Sequence, residues 1–191
     1  MRVMARPKEF DADLALDAAV TVFRDYGFEG TSAQMLVDAM GIGRQSLYDT
    51  FGDKWQLYQA AVRRYALSEV SAHREALRTG RSAIDGIRMM IKRVVAEATT
   101  PCLGVNSIAE FGCARPELSE IRAKADSTLR SALIEQVKVA QAEGEIGSDI
   151  DPDSVATFMI ASFAGIRIAA RGGANQAQLE ALGEMTLRAL R

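Results

Sequence analysis

Residues 31–54 read TSAQMLVDAMGIGRQSLYDTFGDK. Two short amphipathic helices are legible there, one on each side of Gly41-Ile42-Gly43. Thr31, with Gln34 three residues on, has capping-box spacing for a helix that carries Leu36, Val37 and Met40 and ends at Gly41. The next helix starts almost at once and runs from Arg44 to Phe51. It is too short to persist alone, because isolated helices below about 12 residues are marginal in water, so it must be held through Leu47 and Phe51. Short helix, tight glycine turn, short helix is the helix-turn-helix arrangement, and Leu36, Ile42 and Leu47 supply its buried side. A B-form major groove about 12 Å wide admits one exposed helix. Arg44, Gln45 and Ser46 are therefore placed to meet base edges: Arg can bond guanine O6 and N7, Gln matches adenine N6 and N7, and a serine hydroxyl takes either role. Tyr48, Thr50 and Lys54 flank them as phosphate binders, and Thr31 and Ser32 offer hydroxyls and free N–H groups at a helix N-terminus.

Outward from this stretch, apolar residues recur at helical rather than period-two spacing, so the chain reads as all-α. Asp11 can cap a first helix with an inner stripe of Leu16, Ala19, Val20 and Phe23 and with Gly27 just past its end. Lys54 opens a long helix to about residue 79, and another spans 83–98. Thr100-Pro101 has the form of N-cap then N1, which puts Cys102 at N2 of the following helix. Residues 117–143 form a long helix with a stripe of Ile121, Ala125, Leu129, Ala132, Val137 and Ala140. A loop at 144–151 leads to Asp151-Pro152, again N-cap then N1, and a helix to residue 170. Gly172-Gly173 turns the chain into a last helix over 177–190. The expected division is a helix-turn-helix head at 1–54 and a larger helical body at 55–191.

The chain has 191 residues, 48% of them hydrophobic and 25% charged, which is ordinary globular composition. Two cysteines do not make a disulfide scaffold, residues 1–10 lack the apolar core of a signal peptide, and the apolar run at 155–170 is interrupted by Thr157, Ser162, Gly165 and Arg167. A cytoplasmic protein without a membrane segment is expected. The formal charge is −2, so any nucleic-acid binding must be local. Even the first 60 residues carry six basic against nine acidic side chains. Arg2, Arg6 and Lys8 fit an arm reaching DNA and equally a solvated tail.

Phe23, then Gly27-Phe28-Glu29-Gly30-Thr31-Ser32, then residues 41–54 together resemble the TetR family of bacterial transcriptional regulators. The resemblance covers about residues 10–60. It implies a three-helix DNA-binding head, a fourth helix acting as lever, and a larger body for ligand binding and dimerisation. It also implies binding to pseudo-palindromic double-stranded operator DNA, with repression usually relieved by a small-molecule effector, and no cofactor. By motif position it assigns Gln34, Arg44, Gln45 and Ser46 to base or groove contact, and Thr31, Ser32, Tyr48, Thr50 and Lys54 to the backbone. Gly43 stands where the family often has Ser or Thr, and Thr50 where it often has an aromatic residue or His. The competing reading, favoured by the acidic head, is a helical dimerisation or adaptor module without specific DNA binding.

In the last two helices the apolar surface exceeds what one small body covers. Paired with a second copy they would form the four-helix bundle implied by the resemblance, with Met159, Phe163, Ile166, Leu182 and Met185 at the homodimer interface. Candidate ligand contacts are Met90, Val94, Cys102, Asn106, Phe111 and Phe158. A thiol at N2 would face free N–H groups that stabilise a thiolate, so Cys102 could sense electrophiles; it could equally be a small buried hydrophobe. Residues 102–106 are also similar to a Cys-Leu-x-x-Asn stretch of some TetR-family ligand domains, electrophile-responsive ones among them. Catalysis is not expected: His73 is the only histidine and no nucleophile elbow is present. CxxC, HExxH and phosphate-loop patterns are missing, and the acidic run 149–153 lacks the glycine and glutamate of an EF-hand, so no metal is expected.

Overall fold

A computed structural model describes residues 10–190, and among them there are nine α-helices and no strand: α1 Ala12–Tyr26, α2 Ala33–Met40, α3 Arg44–Phe51, α4 Lys54–Arg78, α5 Ala83–Ala96, α6 Leu103–Phe111, α7 Pro116–Ala142, α8 Pro152–Arg171 and α9 Gln176–Arg188. Arg2, Arg6 and Lys8 lie outside the described residues. Most starts are capped by side chains: Asp11 accepts from the N–H groups of Asp13 and Leu14, Asp53 and Asn175 form capping boxes with Gln56 and Gln178, and Asp151 accepts from Ser154. α2 departs from expectation by one residue. Its cap is Ser32, which accepts from the Met35 N–H, while Thr31 turns inward. α6 also starts later than the Thr100-Pro101 pair suggests, with Cys102 as N-cap and Leu103 as its first residue.

Two apolar clusters share α4, whose 25 residues span about 37 Å. The first joins α1, α2 and α3 to the front of α4 through Phe23, Leu36, Leu47, Leu57 and Tyr58, and it also takes in Leu103 of α6 and Leu118 and Ile121 of α7. The head core thus continues past residue 54 into the body. The second cluster lies among α5, α7, α8, α9 and the end of α4, around Ile87, Leu133, Val137, Ile166 and Leu179. Each such side chain contributes roughly 1.5–3 kcal/mol of burial. On α1 the inward stripe is Ala15, Ala19, Val22 and Phe23, with Leu16 and Val20 only half-buried at its edge. On α7, Leu118 and Leu133 join the buried stripe, while Ala125 and Ala132 are half-buried, Ala132 against the body core.

α8 reaches 20 residues with a mean hydropathy of 1.3 over its most apolar window, long and apolar enough by composition alone to cross a membrane. Its inner face is spent on the body core through Val155, Ala156, Met159, Phe163 and Ile166, and it buries Arg167 in an ion pair.

Candidate nucleic-acid interface

The turn between α2 and α3 is set by Gly41, whose φ of +66° suits glycine, and by Ile42, which is buried. α3 is anchored on one side by Leu47, 1% exposed, with Phe51 half-buried beside it. Arg44, Gln45, Tyr48 and Asp49 are exposed on its outer side, while Ser46 and Thr50 are half-buried at the flanks. Gly43 caps α3 without a side-chain bond, so the first N–H groups of the helix stay open. Two amides are already engaged along their helices, Gln45 donating to Asp49 at 2.8 Å and Gln34 to Asp38 at 2.8 Å. Lys54 places Nζ 4.3 Å from the centre of the Phe28 ring. Thr31 does not face outward: it is buried, and its hydroxyl donates to the Gly27 carbonyl at 2.6 Å. Of the two expected hydroxyls, only that of Ser32 is exposed at the start of α2.

Part of the acidic surplus of the head is neutralised at the α1–α4 contact, while Asp49 stays exposed on α3 itself. Asp13 and Asp17 of α1 both bind Arg64 of α4 at 2.9 Å.

Head and body meet in an aromatic cluster. Phe28 packs edge-on against Trp55, Tyr58 and Phe111 with centroids 5.2–5.8 Å apart. Burial pushes the Tyr58 phenol up to about 12. Phe111, expected as a ligand contact, is spent here. Two polar ties run beside it. The Glu110 carboxylate accepts from the backbone N–H groups of Phe28 and Glu29 at 3.0 and 2.8 Å. Asn106 donates to the Arg24 carbonyl at 2.9 Å and accepts from Arg171 of α8. Glu110 and Arg171 carry no sequence signal for this role, because their partners are more than 60 residues away.

Inside the body an ionic network ties α4, α5 and α8. Glu69 takes Arg93 and Arg167 at 2.7 Å each, and Arg93 also holds Glu97 at 2.8 Å. Burial alone would raise the Glu69 carboxyl, but the two guanidinium groups outweigh it and hold it below its ordinary value. His73 is stacked on Phe163, and burial together with the Arg93 charge pushes it down to about 4, so the ring is neutral and accepts from Arg93. Tyr65 is pushed far above its ordinary value, first by burial and then by its neighbours Cys102 and Glu69.

Cys102 is half-buried at the α6 N-cap, outside the first helical turn, and lines a cavity of about 100 Å³ with Asn106, Arg167 and Arg171. Met90 and Val94 are wholly buried in the body core. Phe158, also expected as a ligand contact, points outward at 43% exposed. The expected interface residues divide as well. Met159, Phe163 and Ile166 are buried within the single chain, whereas Leu182 and Met185 are exposed.

Comparison with known proteins then fixes the lineage. Residues 15–61 match the bacterial regulatory proteins of the tetR family, and residues 81–182 match the tetracyclin repressor-like C-terminal domain. The chain belongs to the TetR family. TetR relatives include the uncharacterized HTH-type transcriptional regulator YezE of Bacillus subtilis (strain 168), 36% identical over 82% of this chain and 84% of that protein. The HTH-type transcriptional repressor ComR of Escherichia coli (strain K12) is 31% identical over 96% of this chain and 90% of its own. Among solved structures, a cysteine-substituted TetR family transcriptional regulator CifR, complexed with 26bp double-strand operator DNA, superposes with a TM-score of 0.79 at 30% identity, covering 98% of this chain and 100% of that one. This TetR chain is a DNA-binding transcriptional regulator rather than an enzyme, with the helix-turn-helix head and helical body of that family.

Proposed function

We propose that this chain is a homodimeric repressor, acting in the cytoplasm, that holds a pseudo-palindromic operator through α3 and leaves it when a small molecule enters the body. The observation that carries the reading is the asymmetry of α3: its apolar side is locked by Leu47 while Arg44, Gln45 and Tyr48 are exposed on the other. Arg44 and Gln45 would read bases, Ser46 and Gln34 would sit at the groove wall, and Ser32, Tyr48, Thr50 and Lys54 would hold phosphates. A DNA shift assay at two salt concentrations tests this, since phosphate contacts make affinity fall steeply with salt. Binding that ignores salt and sequence contradicts it and favours an adaptor without specific DNA binding.

The second copy would be placed on the outward faces of α8 and α9. Phe158, Ala161, Gly165 and Ile168 share one side of α8, and Leu182 and Met185 stand out on α9. A Cβ at Gly165 would meet nothing within 4 Å, so the backbone there is open to close approach.

The effector would be received beside Cys102 and Asn106, where the ties to the head begin. An electrophile entering there would meet the half-buried Cys102 thiol. Alkylation of Cys102 with iodoacetamide is expected to weaken operator binding; unchanged affinity would remove the electrophile from the account.

A further inference from the structure

The cavity beside Cys102 does not end at its small chamber. A groove of about 750 Å³ lies next to it, and Asp25, Val105, Asn106, Ile168 and Arg171 line both spaces, so the two adjoin across the Asn106–Arg171 pair. Their linings differ in kind. The chamber adds Thr99, Thr100 and the guanidinium of Arg167, whereas the groove adds the apolar surfaces of Tyr26, Ile108 and Ala164. Ile108 is among the most exposed aliphatic side chains of the body, at 53%, and Ile168, at 58%, stands where the groove meets the α8 face proposed for the second copy.

Among the described residues, two of the four charged groups facing this space sit in ion pairs, and two, Glu110 and Arg171, are held by neutral groups. Arg167 is held by Glu69 at 2.7 Å, Asp25 by Arg24 at 3.2 Å, and Glu110 spends both carboxylate oxygens on the Phe28 and Glu29 N–H groups. Arg171 forms no ion pair among the described residues; it donates to the neutral Asn106 oxygen. A guanidinium beside an apolar trough, with a neutral acceptor in place of a carboxylate, offers two parallel N–H donors to a planar anion. The chamber holds the space of about three waters, enough for a carboxylate head but not for the rest of a molecule. Asp25 at its wall opposes a second negative charge.

Building on the effector reading above, we propose that this space binds a small apolar carboxylic acid, its head on Arg171 and its hydrocarbon along the groove, and that binding loosens the head. The loosening follows from the bond exchanged. Arg171 now orients the Asn106 side chain, whose other end donates to the Arg24 carbonyl in the last turn of α1 at 2.9 Å. A carboxylate that takes Arg171 removes that orientation, and α1 carries the DNA-reading head.

The test uses the full-length protein with octanoate and octanol as probes. Calorimetry without DNA is expected to show octanoate binding at least about tenfold tighter than octanol, the gap expected for one charge-assisted bond. Arg171→Gln is expected to remove that gap. Asn106→Asp, a change of nearly equal size that gives Arg171 a resident carboxylate, is expected to weaken octanoate by about tenfold as well; a thermal melt of each variant checks that it is folded. In a DNA shift assay octanoate is expected to lower operator affinity of the wild type and to leave that of Arg171→Gln unchanged. Equal binding of octanoate and octanol, no octanoate binding at millimolar concentration, or full binding by both variants overturns the site. Octanoate binding that depends on Arg171 but does not alter operator affinity overturns the loosening. A wild type that binds no DNA overturns the repressor reading and leaves the calorimetric result standing on its own.

Discussion

Two helix faces of this molecule stand in water, and their chemistry is opposite. α3 presents Arg44, Gln45, Tyr48 and Asp49 above one buried anchor, Leu47, whereas α8 presents Phe158, Ala161, Gly165 and Ile168 above a fully packed inner stripe. A charged face is well solvated and gains on meeting phosphates and base edges. An apolar face forfeits roughly 25 cal/mol for every Å² left wet, and gains most by meeting another apolar face. Under the proposed reading the difference gives one chain two kinds of partner, DNA at α3 and a second copy at α8 and α9, and operator binding would require both at once.

Phe158→Glu is the strongest way to break this pairing of faces. It sets like charges near each other across the two-fold and is expected to yield monomers by sedimentation, with operator affinity reduced by about 100-fold or more as the two half-sites become uncoupled. A variant that stays dimeric breaks the assignment of α8. On the other face, Arg44→Ala is expected to cost about 1–3 kcal/mol per copy and to relax base preference at one operator position. Lys54→Ala is expected to weaken all sequences alike and to lower the salt slope by about one phosphate. Equal effects of the two substitutions on every sequence would remove Arg44 from base reading.

Beneath α8 lies a pH-sensitive network that α3 has no counterpart for. His73 is held down to about 4 in the fold, against an ordinary value of 6.5. Between those values the unfolded chain binds the proton first, so the stability is whole above pH 6.5 and is lost as pH falls toward 4. Glu69, also held low, loses stability in the same direction below its ordinary range. Urea unfolding is expected to show a loss of about 2 kcal/mol from the histidine between pH 7 and pH 5. His73→Gln is expected to flatten that slope; an unchanged slope would place the titration elsewhere. The smallest effect is expected at the junction. The Tyr58 hydroxyl is buried without a hydrogen-bond partner among the described residues, so Tyr58→Phe should shift stability by no more than about 1 kcal/mol in either direction.

The head was legible in sequence because each of its signals is local. A glycine turn, a single inward leucine and a short polar helix are read from neighbours in the chain, and Asp11 caps α1 where its side chain implies. Thr31 and Ser32 show the limit of such reading. Both can cap, and only packing decides that Thr31 turns to the Gly27 carbonyl while Ser32 takes the cap.

The body was legible in outline only. α8 is apolar on most of its circumference, so periodicity could not tell its core stripe of Met159, Phe163 and Ile166 from its outward stripe of Phe158 and Ile168. Met90 and Val94 fit a pocket as well as a core by composition, and the structure gives them to the core. Arg171 and Glu110 act through bonds to residues far away in the chain, which no local pattern encodes.

Selection of bound duplexes from a random-sequence library, followed by sequencing, most directly tests whether α3 is presented twice to DNA. A pseudo-palindrome is expected, with half-sites about 10 bp apart from centre to centre or a multiple of that spacing, and with enrichment lost in Arg44→Ala. Recovery of unenriched sequence, or of a lone half-site without a symmetric mate, would contradict it.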